Sequence, residues 1–164
     1  MVVRAVRKYS ELPFEAHLMM TNPAAYITPF ARAGADEITV HIECADKVED
    51  LISLIRKEKC RVGVSLRPKT PISRLLPFLP MIDTVLVMSV EPGFGGQVFQ
   101  KEAIARIAEL KDLIGKKPVQ VAVDGGINDI TAPACRLAGA DILITGSYVF
   151  GAKNYAEAIE RLKK

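Results

Sequence analysis

Apolar positions fall along this chain in two alternating rhythms. Short runs such as Val85-Leu86-Val87-Met88, Val121-Ala122-Val123 and Ile142-Leu143-Ile144 are apolar throughout, and each ends in a small or acidic residue. Runs of this kind read as strands covered on both faces. Between them, apolar residues recur every three or four positions. Val48, Leu51, Ile52 and Ile55 form one such stripe, the mark of an amphipathic helix.

Taken in order, the pattern predicts a helix over 2–10, then a strand over 14–19. Its period of two places Phe14, Ala16 and Leu18 on one face and Glu15, His17 and Met19 on the other. Thr21-Asn22-Pro23 opens a helix that runs to Ala33 and stops at Gly34. A strand over 36–42, a helix over 47–57 capped by Asp46, and a strand over 61–66 follow. A short helix over 72–79 leads to a strand over 83–89, and a helix over 101–114 stops at Gly115. A strand over 119–124 precedes a helix capped by Asn128 or Asp129 that ends near Gly139. The last strand spans 141–145, a short helical turn spans 147–151, and Asn154 caps a final helix.

Strand and helix alternate strictly with short connections, which implies parallel strands joined by crossover helices. The tetrapeptide Ala-Gly-Ala-Asp occurs at 33–36 and again at 138–141, each time between a helix and a strand. An open doubly wound sheet would collect its ligand at one switch point. Here the strand ends at Met19, Ser89, Asp124 and Gly146 all carry chemistry-bearing or glycine residues, which favours a barrel of the triosephosphate-isomerase type. Six strand–helix units are present, preceded by a helix, where a closed barrel has eight. Residues 1–164 read as one domain.

Composition narrows the function classes. The chain is 49% hydrophobic and 25% charged with a net charge of +3, too mild and dispersed to argue for nucleic acid. No apolar run approaches the ~18 residues that span a membrane, and the first ten residues lack a signal-peptide core. The expected setting is cytoplasmic. Three cysteines without close pairing, Cys44, Cys60 and Cys135, read as reduced thiols.

Asp124 closes a buried strand beside Gly125-Gly126, a position where a carboxylate serves catalysis more often than structure. His17 sits at the equivalent end of its own strand. Alone it reads as an ordinary hydrogen-bonded histidine; paired with Asp124 it makes half of a metal site. His41 holds a similar position but reads as core. Glu43 and Glu91 fall in loops and read as surface charges, and Met88 as a pocket wall or core. Gly95-Gly96, Gly125-Gly126 and Gly146-Ser147 together suggest a cradle in which backbone N–H groups hold a phosphate.

These residues resemble the D-ribulose-5-phosphate 3-epimerase family. The resemblance rests on Glu15-Ala16-His17-Leu18-Met19, on Ile38-Thr39-Val40-His41, on Gly63-Val64-Ser65-Leu66-Arg67-Pro68, and above all on Val87-Met88-Ser89-Val90-Glu91-Pro92-Gly93-Phe94-Gly95-Gly96-Gln97. It extends through Val123-Asp124-Gly125-Gly126-Ile127 and from Gly139 to Ser147. The resemblance implies an eight-stranded barrel that interconverts ribulose 5-phosphate and xylulose 5-phosphate. It implies one divalent metal, zinc or iron, with manganese or cobalt as substitutes. By position, His17 and Asp124 resemble metal ligands, and Asp124 also resembles a catalytic proton donor or acceptor. Met19 and Met88 resemble pocket methionines, while Gly93, Phe94, Gly95, Gly96, Gly125, Gly126, Gly146 and Ser147 resemble the substrate and phosphate loops. The implied partner is a small phosphorylated ketose, with self-association into a homo-oligomer.

The family's first strand carries a substrate-binding serine. Its second carries an H-x-D segment and M-D-G, which supply two further metal ligands and a second catalytic aspartate. None of this occurs here, so the six strands resemble strands three to eight. The chain alone is therefore expected to be nearly inactive. The competing readings are a non-catalytic phosphate-binding partial barrel and a ketohexose-phosphate epimerase.

Overall fold

The structure, a computed structural model, describes residues 2–164. Six strands form one wholly parallel sheet in the order β1 to β6: β1 Glu15–Leu18, β2 Glu37–His41, β3 Arg61–Leu66, β4 Thr84–Met88, β5 Gln120–Asp124 and β6 Ile142–Ile144. Each strand pairs with the next in sequence. That monotonic order is the singly wound topology of a barrel; a doubly wound sheet reverses direction partway. β1 and β6 do not pair with one another among the described residues, so the sheet is an open, partial barrel. It curls enough for Met19, just after β1, and Ile144, on β6, to line one cavity.

The helices are α1 Val2–Arg7, α2 Ala24–Ala33, α3 Val48–Lys57, α4 Glu102–Ile114, α5 Ala132–Leu137, α6 Ser147–Phe150 and α7 Tyr155–Leu162. They pack on the outer face of the sheet. There Ile38, Val40, Val62, Val64, Val85, Val87, Val121 and Val123 are buried with the stripe Leu51, Ile52 and Ile55 and with Ile107 and Leu110. The inner face holds a smaller cluster of Leu86, Met88, Val90 and Ala122, with Ile142 and Ile144 partly buried beside it. Below that cluster the inner face is polar. Arg61 bridges Glu37 at 2.9 Å and Gln120 at 2.5 Å, and the Thr39 hydroxyl donates to Glu15 at 2.5 Å.

The repeated Ala-Gly-Ala-Asp turns out to be a connector between units. In both copies the glycine adopts left-handed geometry, φ 105° at Gly34 and 106° at Gly139. A cationic side chain lies across it to reach the aspartate: Arg7 to Asp36 at 2.7 Å, and Lys111 to Asp141 at 2.9 Å. The same carboxylates accept backbone N–H groups, from Phe14 just before β1 and from Val121 in β5, each at 2.7 Å. Asp83 does the same for Val62, with Arg56 as its cation, in a unit that lacks the tetrapeptide.

Several local expectations need correction. The segment 72–79 is not one helix but two 3-10 turns, Ile72–Leu75 and Leu79–Met81. Pro77 and Pro80 have no N–H to continue a helical ladder. Helix α1 stops at Arg7, three residues short of the expected end. Thr21 and Asn22 do not cap α2; Pro23 takes the cap position with no side-chain bond. Asp46 does not cap α3 but faces the N–H of Ala24 at 3.4 Å. Asn128 accepts from the N–H groups of Ile130 and Thr131, so it closes the turn before α5 and leaves Thr131 at the cap position. Asn154 caps α7 as expected, accepting from the Glu157 N–H at 3.2 Å.

Candidate functional site

The C-terminal ends of β1, β4, β5 and β6 surround a cavity of about 350 Å³. Its walls include Met19, Met88, Asp124, Gly125, Gly126, Gly146 and Ser147, and the loop Gly93-Phe94-Gly95-Gly96. All the residues expected at the site except His17 are on that wall. Met88 is buried on the inner face, whereas Met19 is half exposed. Phe94 is 83% exposed, so the loop that carries it stands away from the cavity floor. Gln97 ties that loop together by donating to the carbonyls of Glu91 at 2.8 Å and Phe94 at 2.9 Å.

Asp124 owes its position to Ser89, the fully buried residue that follows β4. The Ser89 hydroxyl donates to the carbonyls of Asp124 at 2.8 Å and Gly125 at 2.6 Å, and its N–H donates to Asp124 O at 2.8 Å. These bonds lock the end of β5 against the end of β4. Burial pushes the Asp124 carboxyl above its usual range, against a smaller lowering by the Gly125 N–H. The two glycines that follow are required by close approach. A Cβ on Gly126 would sit 2.6 Å from Phe99 N, and one on Gly125 would sit 2.6 Å from a Val90 methyl. By contrast, nothing crowds Gly93, Gly95, Gly96 or Gly146 within 4 Å, so their backbone faces open space. Thr145 fixes the start of the last loop by donating to Ile127 O at 2.9 Å.

His17 lies off this wall and belongs to a second cluster. Its Nε2 is 2.9 Å from His41 Nε2 and 3.2 Å from the Ser65 hydroxyl. Burial, with His41 alongside, lowers His17 to about 4. His41 Nδ1 in turn faces Glu43 Oε2 at 3.3 Å. Glu43, expected as a surface charge, is only 14% exposed in its side chain. Burial alone would raise its carboxyl. Hydrogen bonds from His41, the Thr70 hydroxyl and the Arg67 N–H outweigh that and bring it down to about 2. Sequence reasoning missed this cluster. Its only local signal was the His41-x-Glu43 spacing at a strand end.

No three His, Cys, Asp or Glu side chains among the described residues are placed to share an ion. Among the described residues, His17 and Asp124 thus have no third such donor placed with them to complete a divalent-metal centre. The three cysteines are free thiols, with Cys60 and Cys135 buried. No helix of the described residues is long and apolar enough to cross a membrane.

Residues 1–150 match the profile of the "Ribulose-phosphate 3 epimerase family". A ribulose-phosphate 3-epimerase of Bacillus subtilis is 40% identical over 166 residues, covering 99% of this chain and 76% of the relative. The cytoplasmic isoform from Oryza sativa is also 40% identical, over 99% of this chain and 72% of its own length. Among solved structures, a 3-hexulose-6-phosphate synthase superposes with a TM-score of 0.77 at 22% identity, over 99% of this chain and 78% of that one. The 3-hexulose-6-phosphate synthase of Salmonella typhimurium gives 0.76 at 20% identity over 98% and 76%. At that identity the structural matches speak to fold alone.

Proposed function

This chain belongs to the ribulose-phosphate 3-epimerase family, and we propose that its cavity takes ribulose 5-phosphate and xylulose 5-phosphate, with Asp124 moving the proton at C3. The single observation that carries the reading is Asp124 itself, a desolvated carboxyl on a cavity wall that also presents the uncrowded backbone of Gly93, Gly95, Gly96 and Gly146. The glycine loops supply N–H groups for the phosphate end. Met88 and Met19 give the sugar carbons an apolar wall. Asp124 takes the C3 proton as a general base and returns it as an acid. The six strands correspond to strands three to eight of an eight-stranded barrel, residues 1–164 act as one domain, and the setting is cytoplasmic.

Epimerisation needs a proton removed on one face and returned on the other. On the cavity wall Asp124 stands with Glu91, whose side chain is at the exposed start of the loop. Glu15, at the start of β1, is exposed, and its carboxylate is taken up by the Thr39 hydroxyl. No second acid is thus poised against Asp124. Nor do the described residues gather three donors for a metal, so no step is routed through one. A single acid removes and returns the proton from the same side, which exchanges hydrogen without inverting the carbon.

Ribulose 5-phosphate incubated with the chain in heavy water, followed by proton NMR, tests this. The expected outcome is slow loss of the C3 proton signal with little xylulose 5-phosphate. Xylulose 5-phosphate formed at ordinary enzymatic rates would show that a second acid operates. Binding with no exchange would favour a non-catalytic phosphate-binding barrel and overturn the proton-transfer role of Asp124.

A further inference from the structure

The second cluster contains an unusual contact: two histidine rings meet through the same atom type. His17 Nε2 and His41 Nε2 are 2.9 Å apart, a hydrogen-bond distance. The ring centroids are 4.9 Å apart with planes 20° from parallel, so the rings meet edge to edge. One nitrogen carries the proton and the other accepts it. The rest of the cluster decides which.

Glu43 is a carboxylate held far below its usual range, and a carboxylate only accepts. Its Oε1 takes the Arg67 N–H and the Thr70 hydroxyl, while Oε2 faces His41 Nδ1. His41 Nδ1 is therefore the donor to Glu43, and in a neutral ring its Nε2 is the lone pair. His17 Nε2 must then donate to it. The Ser65 hydroxyl is compatible with this: Val40 O at 3.4 Å is an acceptor for its proton, which leaves its oxygen free to accept from His17 Nε2 at 3.2 Å. By the same exclusion His17 Nδ1 carries the lone pair. That atom takes no hydrogen bond from the described residues, and it is not a buried orphan.

We propose that Glu43 and His41 are positioning residues that fix His17 as its Nε2–H tautomer, so that Nδ1 is presented as an acceptor at the end of β1. The relay is anchored at its far end by backbone and hydroxyl donors from the loop after β3. It sets a hydrogen-bond polarity that runs from His17 through His41 to the carboxylate. This deepens the epimerase-site reading and rests on it for the use of His17, but its test needs no substrate.

The geometry makes a sharp prediction for Glu43→Gln. The amide oxygen stays with Arg67 N–H and Thr70, which leaves the NH₂ group facing His41 Nδ1. His41 is forced to carry its proton on Nε2, His17 Nε2 becomes the acceptor, and His17 Nδ1 becomes N–H. Two tautomers invert through a change at one side-chain atom, which is a single hydrogen bond away from His41. Long-range ¹H–¹⁵N correlation spectra of the imidazoles at neutral pH read this directly. The wild-type chain is expected to show His17 protonated at Nε2 and His41 at Nδ1, and the variant the reverse. A His17 Nδ1–H tautomer in the wild type overturns the proposal, as does a doubly protonated His41. A folded Glu43→Gln chain whose His17 tautomer is unchanged also overturns it. Should the variant not fold, the wild-type spectrum alone decides. The spectra are recorded without substrate, so the absence of epimerase or exchange activity leaves this result standing, and the reverse holds equally.

Discussion

Asp124 and Glu43 are both carboxylates at or just beyond strand ends, and their surroundings drive them in opposite directions. Asp124 is desolvated with one backbone donor, so it holds a proton more readily than usual. Glu43 has three donors and sheds its proton at about 2. Asp124→Asn removes the transferable proton while keeping the shape. The C3 exchange rate is expected to fall by about 10²–10⁴, while affinity for ribulose 5-phosphate, measured by calorimetry, stays within about threefold. Glu43→Gln is a stability experiment as well as a tautomer experiment. A carboxyl depressed in the folded state stabilises the fold above its unfolded value of 4.5, and that contribution is lost as pH falls through about 2. The variant is expected to be about 1–2 kcal/mol less stable at neutral pH, from weakened charge-assisted bonds. In urea titrations the gap should hold from pH 7 to about 5.5 and close between 4.5 and 2. A gap that widens on acidification would mean Glu43 is not held as an anion.

The connectors between elements offer a cleaner test of folding than the strands do. At Gly139 a Cβ would lie 2.5 Å from Lys111 Cγ, and the φ of 106° strains any L side chain. Gly139→Ala is expected to cost about 1–3 kcal/mol, a Tm drop of roughly 2–12 °C at this chain length. Adding Lys111→Ala relieves the collision but not the dihedral strain, so the double variant should recover only part of the loss. The strands were legible to within one residue because β4, β5 and β6 are short apolar runs ending in Ser, Asp or Thr, while β1, β2 and β3 alternate with a period of two. The 3-10 turns at 72–81 were not, because Ile72, Leu75 and Leu79 have helical spacing and only the missing N–H groups of Pro77 and Pro80 break it. The cavity wall was legible because its residues cluster at strand ends in sequence. The His17–His41–Glu43 relay was not: its central contact joins residues 24 apart across two strands, and polar side chains carry no periodic signal of whom they meet.

At the scale of the whole molecule, one apolar cluster runs from Ala16 in β1 to Leu162 in α7. A cluster that joins the first strand to the last helix is expected to unfold in one cooperative step, read as a single transition by both far-UV circular dichroism and calorimetry. The open sheet has a different consequence. β1 and β6 each lack a neighbour on one side among the described residues, and the inner-face Ile142 and Ile144 are only partly buried. Unpaired parallel edges next to incompletely covered apolar side chains favour association with another copy. Self-association is therefore expected, visible in sedimentation velocity as a mass above 17.9 kDa that falls on dilution. Ile142→Glu places a charge on that inner face beside the β6 edge. It should shift the distribution toward monomer with far-UV circular dichroism unchanged. A wild-type chain that sediments as a monomer at ~100 µM, well above the micromolar range of a modest interface, would mean that the curled sheet shields its own edges.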